Sequence, residues 1–357
     1  MPTSTNASHD VDERGMRRAV ATAWTARRTV SPRPWVGAVV VPTGGDPDDA
    51  GSVAAATDGT HGPHAEVGAI RAAGERTQGG TLYCTLEPCS HHGRTPPCAD
   101  AVIAAGLARV VIGVADPDRQ VSGEGIARLR TAGIDVVVGV GASDVADQLA
   151  PYLKHRRTGR PYVVMKLATT LDGRIAAPDG SSRWITGTEA RLDAHRLRAD
   201  SDAILVGAGT VRADDPALTV RLPGEYDGDG PLRVVLGEAP VEARVQPALS
   251  LSGSLDGVLD ELGRRDVLQV LVEGGSTVAH AFHDAGLVDR YVLYLAPALF
   301  GGDDARPAFS GLGAPTIDDV WRGQIVSVRR LGDDLRLDVA AAAPRTDEEG
   351  GDVHRDR

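Results

Sequence analysis

The run Glu87-Pro88-Cys89-Ser90-His91-His92-Gly93-Arg94-Thr95-Pro96-Pro97-Cys98 decides how this 357-residue chain is read. Together with His64-Ala65-Glu66 upstream, it offers one imidazole and two thiolates. That donor set suits a borderline-soft ion such as zinc, and three protein ligands leave a fourth position for water. Water on zinc so held has a pKa near ~7 and reacts as hydroxide at neutral pH. The expected ligands are therefore His64, Cys89 and Cys98. Glu66 is not needed as a ligand, which leaves a carboxylate to move protons, and it is the expected catalytic group. A closed structural zinc knuckle would want a fourth ligand, which His91 or His92 could supply. Cys84 reads instead as a buried strand thiol.

The flanking sequence fits an active site. Gly80 to Leu86 is rich in β-branched and aromatic residues and predicts a strand ending at the site. Pro63 and Pro97 precede His64 and Cys98, and Pro suits the first turn of a helix. A thiolate in a helix's first turn is stabilised by the N-terminal dipole. The Cys98 helix is expected to reach about Ala105 and stop at Gly106. Val11 to Arg28 reads as a helix, Val36 to Val41 as a buried strand, and residues 42–60 as a loop or irregular hairpin. Arg109–Ala115, Gly125–Ala132 and Ile134–Val138 continue as strand, helix and strand, so this part predicts an α/β layered domain ending near Leu149.

Composition narrows the function. Net charge is −11 and aromatics make up 4% of the chain, which argues against nucleic-acid binding, since that needs a basic track and stacking rings. No apolar run reaches membrane-spanning length, and residues 1–15 lack a signal-peptide core. Three cysteines within fifteen residues suit a metal site in a reducing cytoplasm better than a disulfide framework. Residues 1–10 and 343–357 are polar or charged and read as disordered tails. Lys154, His155, Arg156, Arg157 and Arg160 form a basic connector, which is ordinarily a solvated face.

A second α/β unit begins at Tyr162, with strands expected at Val163–Leu167, Ala203–Val206 and Val267–Val272. Thr188 is the expected N-cap of a helix to Arg198. Gly274-Gly275 lies between a strand and a helix that ends at Gly286, where backbone N–H groups can meet an anion. The Gly-x-Gly-x-x-Gly dinucleotide fingerprint is absent.

His-x-Glu followed by Pro-Cys and a second Cys is the pattern of zinc base deaminases, here with eight residues between the cysteines. Residues 11–150 resemble the deaminase half of the RibD family of riboflavin-biosynthesis proteins. The resemblance rests on His64-Ala65-Glu66, Thr85 to Cys98, Ala105 to Val111, and Asp116-Pro117 with Gly123-Glu124-Gly125. Residues 161–342 resemble its reductase half through Lys166–Ile175, Ser182–Thr186, Asp202–Arg221 and Glu273–Ala281. The resemblance implies a cytidine-deaminase-like three-layer domain followed by a dihydrofolate-reductase-like α/β domain. It implies one zinc per chain, NADPH, a phosphoribosyl pyrimidine substrate and a homodimer. By the same resemblance Ala168, Trp184, Thr210, Asp214, Gly275, Ser276 and Thr277 line the cofactor, and Ser182, Arg198, Leu218, Arg221 and Glu273 hold the substrate. Lys166 and Asp214 are the polar candidates near hydride transfer.

The chain departs from the family in three places. Pro32-Arg33-Pro34 stands for Pro-Asn-Pro, Asp116-Pro117-Asp118 stands for Asp-Pro-Asn, and the stretch from Leu236 to Asp266 is shorter, as if a strand were trimmed. Two readings of the paired departures are open. Arg33 and Asp118 form an ion pair at the mouth of the zinc site, or Arg33 is solvated and Asp118 starts a turn. Rivals to the whole reading are the same scaffold acting on another pyrimidine, and a zinc-stabilised binding protein without catalysis.

Overall fold

The computed structural model describes residues 4–91, 96–118 and 121–341. It divides into two compact units: one runs to Tyr162 and also takes in Asp256–Leu268, and the other holds Val163–Leu255 and the chain from Gln269 onward. No helix among the described residues is long and apolar enough to cross a membrane.

The first unit follows the order α1 (Ser4–Trp24), β1 (Gly37–Val41), β2 (Val53–Ala56), α2 (Ala65–Ala73), β3 (Thr81–Leu86), α3 (Cys98–Ala104), β4 (Arg109–Val114), α4 (Glu124–Thr131), β5 (Asp135–Val138), α5 (Ala142–Gln148) and α6 (Ala150–Thr158). Its sheet has the order β2-β1-β3-β4-β5. β1 runs antiparallel to both neighbours, while β3, β4 and β5 are parallel. β1 is buried at every position, and β3 and β4 at all but their ends. Strands as apolar as Gly-Ala-Val-Val-Val need cover on both faces of the sheet.

Two expectations change here, and one alternative is selected. The supposed tail is helical from Ser4, and His9, Glu13 and Arg17 pair at i,i+4 along its surface. Residues 42–60, expected as a loop or irregular hairpin, form the hairpin, with Val53–Ala56 returning antiparallel to β1. The basic connector is α6, with Tyr152, Leu153 and His155 buried, so one side of it belongs to a core. Residues 1–3 and 342–357 lie outside the described residues.

The second unit contains β6 (Tyr162–Thr170), β7 (Arg174–Ala176), α7 (Thr188–Ala199), β8 (Ala203–Gly207), α8 (Ala208–Asp214), β9 (Leu232–Leu236) and β10 (Leu249–Leu251). After α9 (Leu255–Arg264) it resumes with β11 (Gln269–Val272), α10 (Ser276–Asp284), β12 (Arg290–Ala296), β13 (Arg306–Pro307), β14 (Gly323–Leu331) and β15 (Asp334–Ala341). Eight strands form one sheet in the order β10-β9-β8-β11-β6-β12-β15-β14, and β7 pairs with β13. β8 and β11 are buried at every residue. The short stretch after Leu236 thus still holds a three-residue strand and α9. Gly187, not Thr188, takes the N-cap of α7, and its N–H donates to buried Asp334 at 2.6 Å.

Nearly all of α9 belongs to the first unit, although it lies inside the segment that resembles the reductase. Arg160 donates to Asp256 and Asp260 of α9 at 2.6 Å each, and the His155 ring meets the Gly263 carbonyl at 3.0 Å. A Cβ on Gly263 would lie 1.8 Å from the Gly159 carbonyl oxygen, so α9 can approach α6 this closely only at a glycine.

Candidate active sites of the two units

In the first unit, two helix starts and a strand end deliver the donors. His64 is the N-cap of α2, Cys98 opens α3, and Cys89 follows β3. His64 Nδ1 lies 3.2 Å from Cys98 Sγ and 3.7 Å from Cys89 Sγ, and all three donors fall within 4.8 Å of one another. Ligands around one tetrahedral zinc stand about 3.5–3.8 Å apart, so the set fits that ion. The Cys89 thiol is held down to about 4, first by its hydrogen bond with Cys98, and the same bond pushes Cys98 up. A divalent cation at this point would bind both sulfurs as thiolates.

Glu66, the second residue of α2, is 3% exposed, and burial pushes its carboxyl up against the pull of His64. Cys84 is fully buried in β3 beside the Val111 carbonyl, apart from the donor cluster. His64, Glu66 and Cys89 line a cavity of about 190 Å³ together with His91. His92 lies outside the described residues.

The cavity walls show what the sequence left open. Glu87 resembles a second acid, yet its carboxylate accepts three backbone N–H groups, from Asp116, Gly123 and Ile126, at 3.1–3.2 Å. It fastens the start of α4 to the cavity wall. Arg33 faces the cavity and donates from one nitrogen, Nη1, to the carbonyls of Gly59 and Gly62 at 2.9 and 3.2 Å. Asp118 lies 3.8 Å from Arg156, and its carbonyl accepts from Val121 and Ser122 in a turn. The ion pair is therefore replaced by separate partners. The turn at Asp118 holds, but Arg33 is not merely solvated. Asp116 accepts from Tyr152 at 3.1 Å, a wall contact that no local pattern in the sequence announced.

In the second unit, Glu273 at the end of β11 accepts both nitrogens of the Arg198 fork, at 2.6 and 2.9 Å, and stands 3.8 Å from Lys166 Nζ. Burial alone would raise Glu273, but Arg198 and Lys166 outweigh it and hold the carboxyl at about 2. Arg198 also donates to the Thr219 carbonyl, and Arg221 donates to the Thr219 hydroxyl. Arg198 and Lys166 share one carboxylate, and Arg221 meets the same Thr219 as Arg198, so this corner holds an excess of positive charge suited to a phosphate. His195, absent from the sequence reading, accepts the Arg221 N–H at Nδ1 and is held down to about 4 by burial, then by Arg198 and Arg221. Its place three residues before Arg198 on α7 was the available signal.

Leu218 is buried with φ of 49°, in the left-handed region that is costly for a side chain of its size. Lys166 and Ala168 share one face of β6. The Gly275 N–H donates to Thr210 Oγ1, and Ser276 Oγ accepts from Ser310. The first of these bonds joins the starts of α8 and α10, and the second ties α10 to the loop at Ser310. Thr277 is exposed, Ser182 is half-buried, and Asp214 ends α8 with its carbonyl 3.5 Å from Arg183. Trp184 is 69% exposed.

Comparison with known proteins gives these features a lineage. Residues 9–114 match the model of the cytidine and deoxycytidylate deaminase zinc-binding region, and residues 161–337 match that of the RibD C-terminal domain. The riboflavin biosynthesis protein RibD of Mycobacterium tuberculosis H37Rv is 44% identical, with 93% of this chain and 97% of that protein covered. The Escherichia coli K12 protein of that name is 40% identical, over 93% and 100%. The chain belongs to the RibD family. RibD from Acinetobacter baumannii superposes with a TM-score of 0.85 at 35% identity, over 94% of this chain and all of that one. The deaminase/reductase of Thermotoga maritima gives 0.84 at 34%, with the same coverage. The chain is thus a RibD-type bifunctional enzyme of riboflavin biosynthesis, a zinc deaminase joined to an NADPH-dependent reductase.

Proposed function

We propose that the chain carries out the two reactions for which its Thermotoga maritima relative is named, deamination of diaminohydroxyphosphoribosylaminopyrimidine and reduction of 5-amino-6-(5-phosphoribosylamino)uracil. The deaminase is assigned to residues 11–150 and the reductase to 161–342. The observation that carries the reading is the convergence of His64, Cys89 and Cys98, the first two lining the cavity, beside a buried carboxylate outside the donor cluster. Zinc, when bound, supplies an activated water. With zinc held by His64, Cys89 and Cys98, the Glu66 carboxylate would accept a proton and pass it to the departing amine, which would leave as ammonia. Glu87 cannot do this work, since backbone N–H groups occupy its carboxylate.

In the reductase, NADPH supplies the hydride that converts the ribosyl group to ribityl. Ser182, Leu218 and Glu273 hold the substrate, with Arg198 and Arg221 at its phosphate. Ala168, Trp184, Thr210, Asp214, Gly275, Ser276 and Thr277 line the cofactor. Lys166, close to Glu273 and on the same strand face as Ala168, is favoured over exposed Asp214 as the polar group near hydride transfer. Ammonia release and NADPH oxidation, assayed on the diaminopyrimidine phosphate, test the whole reading. Both should appear in sequence; absence of ammonia release from zinc-replete protein would overturn it.

We assign the enzyme to the cytoplasm and, given its net charge of −11, to no nucleic-acid partner. We further propose a homodimer through β14. This edge strand exposes Ile325, Val326 and Val328 at 57%, 47% and 59%, an apolar patch on an open edge. Such an edge invites pairing. Sedimentation should give a dimer that Ile325→Lys with Val328→Lys converts to monomer; a wild-type monomer would refute it.

A further inference from the structure

Trp184 is a large indole left 69% exposed on the loop that leads into α7. One side chain organises that loop. Arg191 donates from Nη1 to the Thr186 carbonyl at 2.6 Å and from Nη2 to Thr188 Oγ1 at 2.9 Å. Its guanidinium carbon lies 4.6 Å from the centre of the Trp184 ring, within cation–π range. Asp334 fixes the other side of the turn through the Gly187 N–H.

The position of this arginine has a cost. Arg191 is the fourth residue of α7, close to the positive end of the helix dipole, where a cation is unfavourable. Two hydrogen bonds to the loop and the stacked ring offset that cost. An arginine needed only for solubility would extend into water.

We infer that Arg191 is a positioning residue for the nicotinamide dinucleotide site, holding the Trp184 indole in the orientation that receives the cofactor. The inference rests on the reading that Trp184 lines that site. A planar guanidinium can bond two loop acceptors while presenting its face to an indole, which a lysine ammonium cannot. Arg191 therefore lowers the ordering that Trp184 must undergo when the dinucleotide binds.

The test is a double-mutant cycle on NADPH affinity in the full chain, measured by calorimetry and by energy transfer from tryptophan to NADPH. Arg191→Leu should weaken NADPH binding roughly 3- to 10-fold, raise KM for NADPH and leave kcat near wild type. Arg191→Lys should rescue little of the loss. In a Trp184→Leu background the same Arg191→Leu change should cost almost nothing, because its target is gone. Additive losses in the two backgrounds would overturn the inference and leave Arg191 as a brace for α7. If Trp184→Leu itself leaves NADPH affinity unchanged, the reading of Trp184 beneath the inference falls with it. Deaminase turnover of each variant reports that the chain is folded.

Discussion

Each unit buries a carboxylate at the centre of its site, and the two are treated in opposite ways. Glu66 sits among His64 and two cysteines, and burial pushes its carboxyl towards holding a proton. Glu273 is also largely enclosed, but Arg198 and Lys166 keep it ionised down to about 2. Desolvation opposes charge in both places, so the partners decide the outcome. A buried acid that no guanidinium grips can exchange protons. One gripped by a guanidinium fork becomes a fixed counter-ion that orients arginines. Glu87 is a third case, a buried acid satisfied by backbone N–H groups alone.

This contrast can be broken by substitution. The largest effect should come from Cys98→Ser, which should abolish zinc binding and deamination together, while Cys84→Ser keeps one zinc per chain. Metal analysis decides it, and the reverse pattern would undo the ligand assignment. Next, Glu66→Gln should retain zinc and reductase activity but lose about 10²-fold or more in deamination, the scale of a removed acid–base group. Appreciable deaminase turnover in that variant would mean the protons travel another way.

A smaller effect concerns Glu273. Its folded pKa, about 2, lies below the ordinary 4.5, so its stabilisation is present above pH 4.5 and is lost as pH falls towards 2. Melting temperatures of the wild type should therefore drop more steeply over that interval than those of Glu273→Gln. Parallel curves would show that the carboxylate is not held ionised. Smaller still, Arg33→Lys should preserve the bonds to Gly59 and Gly62 yet raise KM for deamination a fewfold if the remaining N–H groups meet substrate. An unchanged KM would reduce Arg33 to a brace.

The zinc site was legible because its chemistry is local. A His and two Cys beside prolines announce both the donors and the helix starts that aim them. The alternation of strands and helices was likewise written in short apolar runs such as Gly37–Val41 and Val206 with its neighbours. What escaped were choices made between distant segments. Whether Arg33 meets Asp118 depends on where the Gly59–Gly62 turn and α6 come to lie, and no spacing encodes that. The charges of 154–160 read as solvated because Tyr152, Leu153 and His155, the buried side of the same helix, are interleaved with them. His195 was passed over for a related reason: a lone histidine becomes informative only once Arg221 folds back onto it.

The return of α9 to the first unit bears on how this protein is made. On the ribosome the deaminase sheet is complete once β5 and α6 have emerged, yet Arg160 and His155 must wait about a hundred residues for Asp256, Asp260 and Gly263. A gene split after residue 162 would therefore yield a deaminase with an unfinished flank and a reductase carrying a helix that belongs elsewhere. Cutting the chain there would part α9 from the α6 residues that hold it, unless α9 were moved as well.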